Sequence, residues 1–445
     1  MKPCKMIPLK YLRLINNPIF LQIILGTLFF AGIAGAATTV FADATESDTS
    51  LSESDYSTEV LFGGPTSPEG LIEQAARVKE PAFRFDGIYD AFEPWRDWKS
   101  EVKEDHGFSF SGHYALAVQG ANDALAGGST SGSSGVLRLT GIWELLNRGK
   151  SNSGSLAMTL DHRHAFNEPA PADMAEEIGY IGLTNTFFSD DGFMVINLNW
   201  QQRLNDGDSG FIIGRYDPND YMNILGYVNP WSMFTNLAIT LDVSVAIPDS
   251  SWGVGAGHWF NDQWYVLGGV NDANGSGTDD LEFFKGGSEL FKYAHIGWSP
   301  SKSRRYYANV HLMVWDVDER EDANVSAANG FTLAANWTFN NTWMPFARYG
   351  QSDGTAPIYN KAATLGLIRK FHYRSDVAGL AVNWGELPPN PAWVSQTQTT
   401  VEAFWQIQFA RNLEIIPNVQ YLKNPGLNTV SDDVWSVGAR ALLSF

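Results

Sequence analysis

The residues that could do chemistry sit on the polar side of runs with a period of two. They are Arg138, Glu144, Asp161, Arg163, Asn199, Gln201, Arg203, Arg348, Glu402, Gln406, Asn418, Gln420 and Arg440. A period of two is a strand with one polar and one apolar face. Guanidinium, carboxylate and amide groups in facing rows offer many hydrogen-bond donors and acceptors. Opposed Arg and Glu rows set up a transverse field, order water, and favour polar neutral solutes over apolar ones. A conducting lumen must also bind weakly enough to release its solute. Taken singly, each of these residues equally suits lining or bracing a wall, the ordinary role of an inward polar residue in a barrel. A hydrolase would need two carboxylates facing one cleft. Asp161 and Glu144 both point to the expected lumen, but no nucleophile or acid motif surrounds them, so the chain is not expected to be an enzyme.

Two further groups have residue types that suit metal ligands. His162 and His164 flank Arg163, which puts both rings on the opposite face, in the belt where amphipathic rings meet a membrane interface. No further ligands stand at matching spacing. Asp316–Asp322 alternates acids but lacks the glycine and bidentate glutamate of a calcium loop, and reads as a solvated loop. No metal and no cofactor are expected.

The elements that must position the polar set begin with the N-terminus. Lys2, Lys5, Lys10 and Arg13 precede an apolar run from Ile19 to Ala37, and Val40-Phe41-Ala42 fits a cleavage site. Residues 1–42 therefore read as an export signal. The one cysteine, Cys4, lies within it, so the mature chain has no thiol or disulfide chemistry. The chain holds 30 Lys and Arg against 49 Asp and Glu, and removing the four cations of the signal leaves 26 against 49. That balance argues against nucleic acid as a partner and against a polybasic anchor. No apolar stretch after the signal is long enough for a spanning helix. Yet the chain carries 16 Trp, 27 Phe and 42 Gly. An exported, acidic, aromatic-rich chain of this kind fits a transmembrane β-barrel or a secreted all-β carbohydrate enzyme.

Residues 43–62 read as an acidic disordered leader and 63–106 as a helical segment on the periplasmic side. Leu71–Lys79 suits a short helix. Pro94–Asp105 suits a longer one, with Trp95, Trp98 and Val102 on one face and Gly107 to end it. Like-charge neighbours along this helix imply that it packs on something through its Trp face.

From residue 107 to 445 the period is two. Leu137, Leu139, Trp143 and Leu145 oppose Arg138, Thr140 and Glu144. Leu156, Met158 and Leu160 oppose Asp161 and Arg163. A fifth strand, Phe193–Arg203, sets Met194, Ile196, Leu198 and Trp200 against Asn197, Asn199, Gln201 and Arg203. The final stretch, Asp433–Phe445, turns Trp435, Val437, Ala439, Ala441 and Leu443 to one face. Short links such as Asn147–Gly154, Ser189–Gly192, Asn261–Gln263 and Arg411–Asn412 alternate with long ones such as Gly120–Ser133, Asn167–Glu177, Leu204–Ser250 and Asn271–Glu289. Short turns at one end and long loops at the other are the pattern of an outer-membrane barrel. With 204–250 as one long loop the count is about sixteen strands. Making strands of Phe211–Tyr216 and Leu237–Ile247 gives eighteen and puts a long link among the short turns. Sixteen is the expected number, and 204–250 is the loop expected to fold inward and narrow the lumen.

Several stretches resemble the carbohydrate-selective porin family (OprB-type). They are Thr400–Gln408, Ile416–Gly426, Val437–Arg440 and Phe445, with Trp95–Tyr114, Trp143–Phe166 and Ala378–Asn390 beside them. The resemblance runs from about Trp95 to the end, with the C-terminal block its most specific part. The acidic leader and the Asp316–Asp322 loop are not features of that pattern. The resemblance implies an all-β membrane protein, a closed antiparallel transmembrane barrel of about 16 strands with a short periplasmic helical segment. It implies passive passage of neutral sugars such as glucose across the bacterial outer membrane. Within the long loop, Arg215, Tyr216, Asp217, Tyr221, Trp231 and Phe234 would then suit a sugar-contacting constriction, although an extracellular flap has the same composition. The closing strand, with Leu443 and terminal Phe445, resembles the signal read by the barrel-assembly machinery. Outer-membrane lipids are the expected surroundings, and the outward aromatic faces suit lipid or a neighbouring barrel, so monomer and trimer both stay open. General diffusion and a structural barrel are the alternatives within the fold class.

Overall fold

The structure, a computed structural model, describes residues 62–445 apart from positions 78, 86, 88, 89, 91, 227, 279, 280, 282, 284–286, 372 and 373. The expected export signal and the acidic leader lie outside the described residues, Phe62 excepted.

Sixteen antiparallel strands close on themselves. In chain order they are β1 (Phe108–Ala121), β2 (Ser131–Leu146), β3 (Gly154–Asn167), β4 (Gly192–Leu204), β5 (Ser209–Tyr216), β6 (Ser251–Trp259), β7 (Trp264–Asp272) and β8 (Leu290–Trp298), then β9 (Ala308–Val317), β10 (Ala328–Trp337), β11 (Trp343–Ser352), β12 (Lys361–Lys370), β13 (Val377–Glu386), β14 (Thr397–Ala410), β15 (Leu413–Lys423) and β16 (Asp433–Ser444). Each strand pairs with its sequence neighbours, and β1 pairs with β16 in a register that sets Tyr114 opposite Leu443 and Ala117 opposite Arg440. The Gly112 N–H donates to the Phe445 carbonyl at 3.1 Å and the Phe445 N–H returns the bond at 2.9 Å, so the ladder runs to the last residue. Closure leaves no strand edge unpaired, the condition for a sheet to sit in lipid.

The alternation decides which face is which. Leu139, Trp143, Leu365, Leu380, Trp435, Val437 and Leu443 are exposed on the outer wall, while Arg138, Asp161, Glu402, Gln406 and Arg440 are buried inside. In a soluble sandwich the greasy face would be the buried one. Met194 and Ile196 break the expected pattern. Both are buried, because a bulge between Thr159 and Leu160 of β3 leaves Ile196 without a partner and reverses the parity of β4 beyond it.

The strand total agrees with expectation, but its allocation does not. Residues 168–191 form one long connection, not a strand between the Asn167–Glu177 and Ser189–Gly192 links. Its apolar residues Ile178, Tyr180 and Phe188 are buried within the barrel, which gives a loop the greasy spacing of a strand. Conversely, Arg215 and Tyr216 belong to β5 and not to the long loop. The turn before β5 is Asn205-Asp206-Gly207, all three with positive φ (53°, 57° and 92°), a turn signal that residues able to enter the left-handed region provide. The long loop therefore spans 217–250. With these corrections, short turns and long loops alternate without exception around the wall.

The segment before β1 divides in two. Helix α1 (Pro68–Ala76) starts at Ser67, whose side chain accepts from Gly70 N–H, and carries Pro68 in its first turn. It packs on β1, β2 and β3 from the lumen side, where Leu71 joins the inward residues Ala115, Ala117 and Val136. Phe62 lies within the same lumen, 6.2 Å from the Trp259 ring and 6.4 Å from Tyr265. Residues expected to lie wholly on the periplasmic side thus begin inside the barrel. The chain then leaves over the rim. Lys79 pairs with Glu414, Ala82 N–H donates to the Gln408 carbonyl at 2.7 Å, and Phe83 N–H donates to the Phe409 carbonyl at 3.0 Å. Helix α2 (Glu93–His106) follows, ended by Gly107 at φ 69°. None of its residues is buried, and its Trp face packs on the outer wall, with Trp95 and Trp98 edge-on to Phe110 at 5.8 and 5.6 Å.

Candidate functional site

The lumen is where the polar residues converge, and the 217–250 loop is what they converge on. The loop leaves β5 at Asp217, which caps a short turn by accepting from the Asn219 N–H at 2.9 Å. Asn236 caps the short helix Leu237–Thr240 in the same manner, accepting from Ala238 N–H at 3.0 Å. Between them Trp231 is 2 % exposed.

The wall holds this loop through the very residues expected to face solute. Glu402 of β14 accepts from Thr235 N–H at 2.9 Å and from Asn236 N–H at 3.0 Å. Arg440 of β16 donates to the carbonyls of Pro230 and Met233. Gln420 accepts from the Asn236 amide at 3.0 Å and donates to the Thr184 carbonyl at 2.8 Å. Gln201 donates to the Tyr221 hydroxyl at 3.1 Å, and Asn199 donates to the Arg215 carbonyl at 3.1 Å. Asn418 lies 3.4 Å from Glu402, and Gln406 is buried on the same inward face of β14. A buried charge that satisfies several backbone groups orders them strongly. So Glu402, Gln420, Arg440 and Gln201 hold the loop in place.

Another part of the set surrounds Trp231. Arg138 bonds Asp161 through two nitrogens, at 2.6 and 2.7 Å, and Arg163 reaches the same carboxylate at 2.9 Å. The Arg138 guanidinium lies 4.4 Å from the Trp231 ring centre, Phe187 stacks on that ring at 4.5 Å, and His113 meets it edge-on at 4.7 Å. One carboxylate between two guanidiniums, beside stacked rings, is a rigid and charged patch of wall. Replacing Asp161 with Asn leaves two buried guanidiniums facing each other, with a destabilisation on the order of 3 kcal/mol. The expected result is a lower melting temperature in detergent and a reversal potential shifted toward anions; an unchanged reversal potential would remove this triad from the ion path.

The other expected residues lie elsewhere. Glu144 sits at the short-turn end of β2 and accepts from Gly149 N–H at 3.0 Å. Arg203, near the same end of β4, donates its backbone N–H to the Ser153 carbonyl at 2.9 Å. Arg215 is buried and donates to Val195 O at 2.7 Å and to Ser276 O, bracing β4 and the 273–289 loop. Tyr216 donates to Asn271 at 2.9 Å. Leu443 is exposed on the outer wall and the Phe445 ring lies over Gly112. His162 and His164 face outward, with the His164 ring 2.9 Å from the Tyr114 hydroxyl. Asp316 and Asp318 both pair with Lys292, at 3.1 and 2.6 Å.

A narrow cavity remains between the 217–250 loop, Pro65 and Thr66 of the N-terminal segment, and the β11 wall. Asp217, Asp220, Asp242 and Arg348 line it. The buried Arg348 Nε pairs with Asp242 at 4.0 Å, and neither it nor one terminal nitrogen has a hydrogen-bond partner among the described residues. Burial raises the Asp217 carboxyl to about 6, with the charge of Asp249 adding to it. The ordinary value is about 3.9. The folded value is the higher one, so packing around Asp217 is favoured at low pH and weakened as pH rises from the ordinary range through about 6. Above that window the cavity gains a negative charge. Burial and the Asp217 charge also raise Asp220, so cation preference is expected to rise with pH from about 5 upward in wild type, as read by reversal potential, and to stay flat only in D217N/D220N.

Sequence reasoning missed Phe187, His113, Asn236 and Asp242 and the insertion of residues 62–77. The first lies in the stretch read as a strand. The others meet partners that no local pattern names: His113 the Trp231 ring, Asn236 the Glu402 and Gln420 side chains, and Asp242 the Asn223 amide and Arg348.

Comparison with known proteins agrees with this architecture. Residues 294–445, from β8 to the end, match the model of the carbohydrate-selective porin, OprB family. No curated protein matches the chain. Among solved structures, a high-pH structure of Pseudomonas putida OprB is similar with a TM-score of 0.65 at 16% identity, covering 79% of this chain and 97% of that one. A substituted porin of Rh. blastica (TM-score 0.46, 14% identity, 76% of this chain and 100% of that one) and a loop-deleted OmpT of Vibrio cholerae (0.46, 12%, 76% and 99%) are more distant. The family resemblance thus holds over the C-terminal third, and the fold similarity extends over most of the chain. Together they give the chain the closed sixteen-stranded barrel fold that OprB also has, with a family match confined to residues 294–445.

Proposed function

We propose that this chain is a carbohydrate-selective porin, passing neutral sugars by passive diffusion through a lumen narrowed by the 217–250 loop and by residues 62–77. The observation that carries the reading is the family match over residues 294–445. The lumen chemistry supports it. Arg348 together with Asp217 and Asp220 puts donors and acceptors on the lining of one cavity, which suits hydroxyl groups better than a single ionic charge. Arg138, Asp161 and Arg163 beside Phe187 extend the same pattern. We propose also that residues 1–42 are removed on export, and that the closing strand with Phe445 is read by the assembly machinery.

A second reading has its own support. Leu71, Ile224, Leu225, Val228, Trp231 and Phe234 form one apolar cluster with the inward residues Phe346, Phe404 and Ile416. A lumen filled in this way favours a barrel that conducts only when the N-terminal segment or the loop moves. One experiment separates the readings. The mature chain is inserted in a planar bilayer and its conductance recorded while glucose, maltose and succinate are titrated. Channels blocked by neutral sugars fit the porin reading. Channels indifferent to sugar leave general diffusion. No channels, from protein that shows heat-modifiable mobility, leave a plugged or structural barrel.

A further inference from the structure

The segment that leaves the lumen ends on the outer wall, where Phe83, Phe85, Phe92, Trp95 and Trp98 are each between 38% and 53% exposed. Phe83 and Phe85 also pack on Phe409, at 4.8 and 6.4 Å. Five large aromatics on one short segment would be a costly patch in water. At the rim of a membrane barrel the same residues form an interfacial belt, and an amphipathic helix lies along it. The short turn 411–412 fixes the end of the barrel concerned, the one opposite the long loops.

Between this collar and the wall runs a groove of about 620 Å³, with Phe85, Phe92 and Trp95 on one side and Leu413, Leu443 and Phe445 on the other. Its walls continue the apolar outer face of β15 and β16, so it opens directly onto the surface that meets lipid. Among the described lining residues the charged one is a cation, and acidic Glu93 of α2 is next in the chain to the lining residue Phe92. Arg411 lines it, and Lys99 reaches the Phe445 carbonyl at 3.4 Å while lying 5.2 Å from the Phe110 ring. We propose that this groove binds one glycerophospholipid of the periplasmic leaflet, with an acyl chain between the collar and β15–β16 and the phosphate at Arg411 and Lys99. An apolar slot continuous with the bilayer, with cations where the headgroup must lie, matches that ligand in both chemistry and position. The bound lipid would seat α2 on the β1–β16 seam. The inference rests on the barrel and its lipid face and is independent of what the lumen transports.

The test uses the mature chain folded in detergent and freed of lipid. It is titrated with palmitoyl-oleoyl phosphatidylglycerol and, separately, with a diacylglycerol carrying the same chains, and retained lipid is counted by native mass spectrometry. One tightly retained phospholipid is expected for wild type and for L380A, a change on the outer wall away from the groove. Retention should weaken about tenfold in R411E, which reverses the charge at the phosphate, and in L413W, which fills the slot. Heat-modifiable mobility checks that each variant is folded, and L413W still decides if R411E is not. Equal retention in wild type and both variants overturns the site. Equal retention of diacylglycerol overturns the phosphate contact. Protection of α2 from hydrogen exchange in lipid-free protein, unchanged by phospholipid, overturns lipid as the occupant and leaves another part of the chain in the groove.

Discussion

Deleting residues 62–77 is expected to raise single-channel conductance severalfold and to abolish block by sugar. The deleted stretch holds Phe62 against Trp259 and Tyr265, and α1 against β1–β3, all from inside the lumen. Its Gly64 N–H also donates to the Asp220 carbonyl of the long loop at 2.6 Å, and Gln74 accepts from the Asn229 amide at 3.3 Å. Removal therefore both vacates space and loosens the loop beside it. The wall should survive, because its hydrogen bonds run from strand to strand and none of the sixteen pairings uses these residues. Heat-modifiable mobility checks that point. A smaller change, Phe62→Ala with Leu71→Ala, should raise conductance in the same direction by less. If the deletion variant folds and its conductance equals that of wild type, solute passes elsewhere and the segment is not part of the constriction.

Replacing Glu402 with Ala is expected to have the second largest effect. Its carboxylate accepts the backbone N–H groups of Thr235 and Asn236, and among the described residues no other side chain is bonded to those N–H groups. Losing these charge-assisted bonds in a buried site costs on the order of 3 kcal/mol of loop packing. That figure concerns the loop, since the β13–β14 and β14–β15 ladders remain. The expected outcome is protease cleavage within 217–250, noisy conductance with larger open levels, and a barrel melting temperature little changed. Glu402→Gln keeps an acceptor and should lie between the two. Arg440→Ala should resemble E402A, because it frees the Pro230 and Met233 carbonyls at the other end of the same stretch. A loop as protected in E402A as in wild type would mean that packing around Trp231 and Phe234 holds it alone.

Much of the wall was legible in the chain because a barrel strand writes its environment into every second residue. Lipid requires apolar side chains outside, and the lumen tolerates polar ones. So β2, β3, β14 and β16 could be placed, and Arg138, Asp161, Glu402 and Arg440 assigned to the inner face, before any contact was known. The alternation of turn lengths added the closure and the strand number. The Trp face of α2 announced that it packs on something.

Three things were decided only by the tertiary structure. The stretch 178–188 has strand-like spacing because the lumen buries it, and burial by a loop and burial by a sheet leave the same trace in sequence. Met194 and Ile196 point inward because a single bulge on the facing strand pair reverses parity, and nothing local to β4 records it. Above all, period two says that Glu402, Gln420 and Arg440 point inward but not what they meet there. Their partners, Asn236, Thr235 and Pro230, lie in a loop about two hundred residues away along the chain. A lumen's lining follows from local alternation. Its filling follows from which long-range segments the closed wall admits, and only the folded barrel determines that.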